Sequence, residues 1–321
     1  MTDACAVCLG AGPDVDRYHG ACLQALFETD APPRVDVELA KLHTLALRMV
    51  GNQSLSGVQR KLALTMSADR LTLMVGLGRS EYILKPPSES LPWVPEDEHL
   101  TMCLAALCGL RVAPCGLVWL ADGASGYITR RFDRPSSGGK LRVEDFCQLA
   151  ELPSRSRYQG SAELCAGLVR RFSSDPATEM RELFRRLLFF SWTGCGDMHL
   201  KNLSLVADST GKVGLAPAYD LVSTAVLGIQ RNLALPVSGD SGNSRGDRPN
   251  VPRASAWQRL SQYCGLSDGD RREAVNDILS VRDEAEAMVA RSFLPAKLQD
   301  CYLAVLRERS QALAEIGLPA S

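Results

Sequence analysis

The sequence predicts an α+β fold in which a small, mainly antiparallel β part precedes a larger helical part. Three observations predict this order. Apolar and polar residues alternate in short segments at about 62–66, 71–76 and 81–85, and in a hairpin at about 117–129. From Leu141 onward the apolar spacing changes to about three and a half residues, the period of a helix. A charge-rich turn and a flexible Pro/Ser/Gly stretch at 130–139 separate the two patterns.

Length and composition limit the possible classes of protein. The chain has 321 residues, 45% of them hydrophobic and 23% charged, which suits about two soluble domains with buried cores. A net charge of -1 argues against nucleic-acid binding by charge alone. No apolar run reaches the ~20 residues of a membrane span, and no signal-peptide core is visible, so we expect a cytoplasmic protein with no membrane contact. The eleven cysteines favour reduced thiols over a disulfide framework.

The first predicted domain, residues 1–30, carries two closely spaced pairs of metal-ligand side chains. They are Cys5-x-x-Cys8 and His19-x-x-Cys22. Two such pairs around a loop can close a tetrahedral zinc site made of three cysteines and one histidine. The alternative is that the three cysteines are small buried hydrophobic residues and that His19 precedes a short helix.

The second predicted domain, residues 31–133, contains the strands. A loop of small residues from Ser54 to Lys61 enters the first strand, and the backbone N–H groups of Ser56, Gly57 and Val58 could approach a phosphate there. The same loop could be a plain hairpin turn. Lys85 ends a strand, where it could contact nucleotide phosphates or be a solvated strand end.

A helix is predicted from about Pro95 to Leu110, with an acidic first turn at Glu96, Asp97 and Glu98. These carboxylates could simply complement the positive end of the helix dipole. Alternatively, Glu98 could form an ion pair with Lys85.

The third predicted domain, residues 134–321, is expected to be all α. Asp175 and Pro176 begin a helix whose apolar positions indicate deep burial. Two further amphipathic helices are predicted at about 270–292 and 296–316.

The loop after that buried helix contains the side chains that phosphoryl transfer from ATP requires. A carboxylate orients the attacking hydroxyl, while an amide and a second carboxylate hold Mg2+ against the phosphates. Asp197, Asn202 and Asp220 supply these groups in order. The spacing from Asp197 to Asn202 equals that in the H-R-D-x-x-x-x-N loop of protein kinases. Asx-turn chemistry between a helix and a hairpin could also explain Asp197 and Asn202, although not Asp220.

Several separate stretches together resemble the HipA-like serine/threonine kinases of bacterial toxin–antitoxin systems. The matching residues are Ser54-x-Ser56-Gly57-x-Gln59-x-Lys61, Ile83-Leu84-Lys85, Arg131-Phe132-Asp133-Arg134, Glu144-Asp145-Phe146-Cys147-Gln148, Gly196-Asp197-x-His199-x-Lys201-Asn202-x-Ser204 and Pro217-x-Tyr219-Asp220-x-x-Ser223. The resemblance implies a bilobed protein-kinase-like fold that uses ATP and Mg2+.

The resemblance also implies a role for each matching residue. Asp197 is expected to be the catalytic base, with Asn202 and Asp220 as the Mg2+ ligands. Lys85 is expected to bind phosphate, and the expected adenine-binding hinge runs from Arg130 to Phe132. The expected nucleotide contacts are Asp133 and His199, and the expected autophosphorylation sites are Ser54 and Ser56.

Known members of the family imply the partners. The expected substrate is an aminoacyl-tRNA synthetase, and one expected partner is an antitoxin with a helix-turn-helix domain that links the kinase to DNA indirectly. Only about fifty residues precede Ser54, a layout that resembles HipT, the kinase of three-gene systems. That layout implies a second partner, a small antitoxin resembling the missing N-terminal subdomain, docked on an open edge of the small sheet. The alternative is that the cysteine module at 5–22 already covers this surface.

Two other functions remain possible on the sequence. Small-molecule phosphotransferases of the aminoglycoside or choline kinase type use a similar Asp/His/Asn loop, but they usually have His where Cys195 stands and lack the Ser54–Lys61 pattern. A catalytically inactive kinase acting as a DNA-binding corepressor subunit is the third reading. The presence of Asp197, Asn202, Asp220 and Lys85 argues against it.

Overall fold

The computed structural model describes residues 3–42, 61–67, 69–73, 80–229, 233–237 and 251–318. The chain divides into two compact units. The first unit comprises Met1–Cys103, Ala113–Arg134 and Ala287–Pro295, and the second comprises Leu104–Val112, Pro135–Glu286 and Ala296–Ser321. The segment predicted as a separate module at 1–30 therefore belongs to the first unit, and a stretch near the C-terminus returns to that unit.

The first unit is built on a five-stranded antiparallel sheet. Its elements are α1 (Gly20–Phe27), β1 (Leu62–Ser67), β2 (Arg70–Leu73), β3 (Tyr82–Lys85), α2 (Val94–Leu107), β4 (Cys115–Trp119) and β5 (Ser125–Arg130). The strand order is β2-β1-β3-β5-β4. Leu62 and Leu64 are buried while Ala63 and Thr65 are half-buried, which is the alternation that predicted these strands.

Helix α2 is more deeply buried than its sequence suggests. Its last residues, from Leu104 on, fall in the second unit. The acidic residues of its first turns, Glu96, Asp97 and Glu98, are at most 4% exposed. Helix-dipole complementation at the surface therefore does not describe them, because a buried carboxylate needs partners. Glu96 accepts a hydrogen bond from the Ser125 hydroxyl, and burial raises its pKa.

Both edges of the five-stranded sheet have backbone partners in the described part of the chain. The N–H of Leu117 in β4 donates to the carbonyl of Ala6 at 2.8 Å. Arg34 forms a parallel bridge to Arg70 in β2, and Val35 forms one to Leu120 just after β4. The sheet therefore curls, because its two edges both contact the segment that contains Arg34 and Val35. The expected open edges are therefore covered in part by the chain itself. The N-terminal segment lies far in sequence from the strands that it covers, so local periodicity could not show this pairing.

The second unit is mainly helical but is not all α as predicted. Its elements are β6 (Arg142–Asp145), α3 (Phe146–Leu149), α4 (Ala162–Phe172), α5 (Pro176–Thr193), β7 (Ser204–Ala207), β8 (Val213–Leu215), α6 (Ala254–Tyr263), α7 (Asp268–Leu279), α8 (Arg282–Arg291, which continues into the first unit) and α9 (Ala296–Gly317), with 3-10 turns at Ser154–Ser156 and Leu200–Asn202. The strands form an antiparallel sheet in the order β6-β7-β8. These strands are only three or four residues long, too short to interrupt a helical period in the sequence.

Helix α5 forms the core of the second unit. The side chain of Asp175 caps its first turn by accepting from the Thr178 N–H, and Pro176 occupies its beginning, as predicted. Its large apolar residues are 0–4% exposed, and burial of each one stabilises the fold by about 1.5–3 kcal/mol. They are Met180, Leu183, Phe184, Leu187, Leu188, Phe189, Phe190 and Trp192.

The C-terminal helices differ from prediction in one respect. The stretch at 270–292, predicted as one helix, is two helices, α7 and α8, that separate at Ser280 and Val281. None of the helices in the described ranges has the length and hydropathy needed to cross a membrane.

Candidate active site

The polar loop that follows α5 begins at a glycine. Gly194 ends the helix in the left-handed region, with φ of 79°. A Cβ at this position would lie 2.6 Å from the Cβ of Ala225, closer than real Cβ atoms approach one another. Conformation and space therefore both require glycine here, and the buried helix gives the loop a rigid support.

Hydrogen bonds within this loop bring Asp197 and Asn202 together. The Asn202 side chain donates from Nδ2 to the carbonyl oxygen of Asp197 at 3.0 Å. The backbone N–H groups of His199 and Asn202 donate to the carbonyls of Asp197 and His199, both at 2.9 Å. From outside the loop, the Thr224 hydroxyl oxygen accepts from the N–H of Gly196 at 2.9 Å. The carboxylate and the amide thus share one compact turn.

The Asp197 carboxylate already accepts a hydrogen bond from a side-chain hydroxyl. Tyr158 Oη donates to Asp197 Oδ1 at 2.6 Å, and the pKa of Tyr158 is raised by burial first and by this hydrogen bond second. The Tyr158 ring also packs edge-on against His199, with centroids 5.0 Å apart. Sequence reasoning missed Tyr158, because it lies 39 positions before Asp197 and outside any motif.

Asp220 is the third residue of the predicted set, and its backbone is in the left-handed region, with φ of 57°. The neighbouring Tyr219 anchors this segment to the turn that contains Asn202. Its hydroxyl donates to the carbonyl of Lys201 at 3.2 Å and lies 2.5 Å from the hydroxyl of Ser204. One tyrosine thus connects the segment beside Asp220 to the Lys201 carbonyl and the Ser204 hydroxyl, which lie on either side of Asn202 in the sequence.

His199 lies close to both carboxylates. Burial lowers the pKa of His199, while the charges of Asp197 and Asp220 oppose that change. Its Nδ1 is buried and makes no hydrogen bond with any part of the chain that the structure describes. The imidazole of His199 thus lies near the two carboxylates.

An ion pair supports the loop from β6. Lys201 Nζ lies 3.1 Å from Asp145 Oδ2, and both side chains are less than a quarter exposed. The Asp145 side chain also accepts from the N–H of Gln148, and the Gln148 side chain accepts in turn from the N–H of Asp145. The Glu144–Gln148 motif thus forms a capping box, which holds the carboxylate that pairs with Lys201.

In the first unit, Lys85 forms a buried ion pair with Glu98. Lys85 Nζ lies 2.5 Å from Glu98 Oε1, and the two side chains are 3% and 0% exposed. The Lys85 ammonium also lies 5.1 Å from the centroid of the Tyr127 ring. Of the two roles considered for Glu98, the structure shows the ion pair with Lys85.

The segment predicted as a hinge is held by ion pairs. Arg131 makes a bidentate contact with Asp133, through Nε at 2.9 Å and Nη2 at 2.8 Å. Its Nη1 donates to the Ser80 hydroxyl at 2.8 Å. Arg130 Nη2 lies 2.5 Å from Glu28. These contacts order the segment, while nucleotide binding by Arg130, Phe132 and Asp133 stays a prediction.

The predicted phosphate loop cannot be compared with the structure. Ser54, Ser56, Gly57 and Val58 lie outside the described residues. Phosphate binding by this loop and autophosphorylation of Ser54 or Ser56 therefore stay predictions.

The two N-terminal ligand pairs meet in the structure. One potential ligand atom from each of Cys5, Cys8, His19 and Cys22 lies within 4.8 Å of every other. Within the described ranges, this is the one group of three or more His, Cys, Asp or Glu side chains so arranged.

Comparison with known proteins identifies relatives of this chain. The family model described as HipA-like C-terminal domain matches residues 53–289. A Sinorhizobium fredii protein named as a candidate kinase, Y4mE, is 31% identical over 247 residues, which cover 74% of this chain and 56% of that protein. A Haemophilus influenzae protein, also named as a candidate kinase, is 26% identical over 289 residues that cover 83% of each chain. The chain thus spans little more than half the length of the first of these relatives.

Two solved structures share the fold. One is HipA of Shewanella oneidensis, described in a complex of the toxin–antitoxin proteins HipA and HipB with operator DNA. It matches with a TM-score of 0.69 at 19% identity, and the match covers 88% of this chain and 73% of that chain. The Helicobacter pylori proinflammatory kinase CtkA matches with a TM-score of 0.54 at 12% identity, covering 83% of this chain and 94% of that one. The predicted kinase-like fold is therefore confirmed. The expectation that its larger part is all α is wrong, because the second unit contains a three-stranded sheet.

Proposed function

The chain belongs to the family of HipA-like C-terminal domains, and from this premise we propose that it is an ATP-dependent serine/threonine protein kinase. One observation carries the proposal. Asp197 and Asn202 share a hydrogen-bonded turn, and Tyr219 ties the segment of Asp220 to that turn. A carboxylate, an amide and a second carboxylate are the groups that phosphoryl transfer uses to orient a hydroxyl and hold Mg2+.

Asp197 is the proposed catalytic base. Its carboxylate is exposed, so a protein substrate can reach it. The Tyr158 hydroxyl, 2.6 Å from Oδ1, shows that this oxygen can accept a hydrogen bond from an alcohol group. A serine or threonine hydroxyl that displaces Tyr158 would be oriented by Asp197 Oδ1. As the hydroxyl oxygen bonds to the γ-phosphorus of ATP, the carboxylate would accept the hydroxyl proton, and the bond from that phosphorus to the bridging oxygen would break, with ADP leaving.

Asn202 and Asp220 are the proposed ligands for Mg2+, which would neutralise the phosphate charge when bound. The donor set suits the ion because Mg2+ prefers oxygen ligands. Asn202 uses its Nδ2 for the bond to the Asp197 carbonyl, which leaves its Oδ1 to act as the ligand atom. Burial lowers the pKa of the neighbouring His199, which disfavours a positive charge beside the ion.

Lys85 is the proposed phosphate-binding lysine. In kinases this lysine contacts nucleotide phosphates and is oriented by a glutamate from a helix. Glu98 in α2 holds the ammonium of Lys85 in this way. The pair is buried, with side chains 3% and 0% exposed, so Glu98 fixes the position of the Lys85 ammonium.

The regulatory context is proposed from the relatives. HipA of Shewanella oneidensis is described in a complex with HipB and operator DNA. We infer that this chain also acts in a toxin–antitoxin system, with an antitoxin that bears the DNA-binding helix-turn-helix. An aminoacyl-tRNA synthetase is the proposed substrate, and Ser54 or Ser56 is the proposed site of autophosphorylation.

The test is phosphoryl transfer by the full chain with radiolabelled ATP and Mg2+. We expect Asp197→Asn to lower transfer at least ~100-fold, the usual contribution of a positioned base, while binding of a fluorescent ATP analogue persists. Asp300→Asn, an exposed carboxylate on α9, is the matched control and should transfer normally. Phosphopeptide mapping of the active protein should find label on Ser54 or Ser56. Transfer by Asp197→Asn at the control rate would refute the assignment of the base.

A further inference from the structure

We propose that Cys5, Cys8, His19 and Cys22 bind one structural Zn2+ ion that fastens the N-terminal segment to the sheet of the first unit. Their ligand atoms lie within 4.8 Å of one another. Ligands of a tetrahedral zinc ion with Zn–S bonds of about 2.3 Å are about 3.8 Å apart. The side chains therefore need to contract by only about 1 Å to close the shell.

The histidine presents the correct nitrogen to the three sulfurs. His19 Nδ1 lies 3.3 Å from Cys8 Sγ and 3.9 Å from Cys22 Sγ. Its other nitrogen, Nε2, lies 3.1 Å from the carbonyl oxygen of Ala11 and can donate to it. A backbone acceptor on one ring nitrogen selects the tautomer whose other nitrogen carries the lone pair, as is usual for zinc-bound histidine.

The backbone around the cluster also stabilises thiolates. The N–H of His19 donates to Cys5 Sγ at 3.3 Å, and the N–H of Gly10 donates to Cys8 Sγ at 3.4 Å. A Cβ at Gly10 would lie 3.0 Å from His19 Cε1 and 3.2 Å from Cys8 Sγ, so the loop lies directly against the cluster. These amide donors would share the negative charge that three thiolates bring to the ion.

The alternative, three buried hydrophobic thiols, does not fit the exposure of the cluster. Cys5 is buried, but Cys8 is exposed and Cys22 is half-buried. Cys103 and Cys115 of the same unit are buried in the ordinary way. Packing alone thus gives no reason for Cys8 and Cys22 to face His19. Four protein ligands leave no open position, which is typical of a structural site and not of a catalytic one.

The residues between the first two ligands connect the cluster to the rest of the unit. Ala6 accepts a hydrogen bond from the N–H of Leu117 in β4. The carbonyl oxygen of Val7 lies 3.0 Å from His99 Nε2 and 3.2 Å from Cys103 Sγ, both in α2. Zinc that holds Cys5 and Cys8 would therefore hold the loop that contacts both β4 and α2, independently of any kinase activity.

The experiment measures metal in the full chain, purified without chelators. Elemental analysis should find one zinc per chain in the wild type and in the control Cys301→Ser, which alters an exposed cysteine on α9. Cys8→Ser and Cys22→Ser should lose most of the metal and melt at a lower temperature. Cobalt exchanged into the wild type should show the visible absorption of a tetrahedral Co2+ site with thiolate charge-transfer bands.

A second variant keeps the test decisive if the serine variants do not fold. His19→Cys supplies another thiolate, so it should retain one zinc and shift the cobalt spectrum toward that of a site whose ligands are all thiolates. Any of four results for the wild-type protein would overturn the proposal. They are a lack of zinc, cobalt uptake without tetrahedral bands, iron in place of zinc, and a disulfide between any two of these cysteines.

Discussion

The buried ion pair between Lys85 and Glu98 allows a quantitative prediction about stability. The two side chains are 3% and 0% exposed and lie 2.5 Å apart. Replacing Glu98 by leucine removes one partner of a buried ion pair, which typically costs about 3–5 kcal/mol. For a chain of this size, each kcal/mol lowers the melting temperature by about 2–4 °C. Glu98→Leu should therefore melt about 6–20 °C below the wild type.

A double-mutant cycle separates the ion pair from simple loss of packing. Replacing both members of a buried pair by apolar residues is often near neutral. The variant Lys85→Met/Glu98→Leu should therefore be more stable than Glu98→Leu alone, with a coupling above about 1 kcal/mol in urea unfolding. Glu144→Ala is the control, because Glu144 pairs with Arg142 at the surface, where their side chains are 33% and 80% exposed. Such a pair contributes about 0–1 kcal/mol.

Two results would contradict this prediction. In one, Glu98→Leu has the same melting temperature as the Glu144→Ala control. In the other, the changes in unfolding free energy caused by Lys85→Met and Glu98→Leu are additive. Either result would show that the pair is not desolvated in solution. It would also show that Glu98 does not fix the position of the Lys85 ammonium.

Two further predictions concern Tyr158 and His99. Tyr158→Phe should raise kcat/KM for protein phosphorylation by up to about tenfold. The substrate hydroxyl would no longer have to displace from Asp197 a hydrogen-bond donor that contributes about 1.5 kcal/mol. A fall in kcat/KM in a steady-state assay would contradict this prediction. Burial lowers the pKa of His99 to about 4 from an unfolded value of 6.5. Between these pH values the unfolded chain binds more protons, so stability rises with pH by about 3 kcal/mol across that window. His99→Gln should flatten this part of the urea-unfolding profile, and an unchanged slope would show that His99 is not its source.

Local patterns predicted the parts of the fold that depend on near neighbours. The strands of the first unit, the start of α5 at Asp175 and Pro176, and the approximate position of α2 follow from periodicity and capping. The signals for these elements lie within a few neighbouring residues, so they can be recognised without the tertiary structure. Local patterns did not predict the sheet of the second unit. Its strands β6 and β7 pair although α3, α4 and α5 lie between them in the sequence, and each strand has only four residues.

The candidate site divides in the same way. The sequence alone predicted Asp197, Asn202 and Asp220 as a set, because their residue types and spacing match the groups that phosphoryl transfer uses. The contact of Tyr158 with Asp197 was not, since a hydrogen bond between residues 39 positions apart has no local signature.

By itself, the sequence determined which elements could form and which polar side chains could act together chemically. Spacing and residue type encode both, as in the Cys5–Cys8 and His19–Cys22 pairs. Only the tertiary structure decided that these two pairs meet, that Glu98 faces Lys85, and that the N-terminal segment covers β4. Those outcomes depend on how distant elements pack, and packing buries or exposes a side chain according to neighbours that are remote in the sequence.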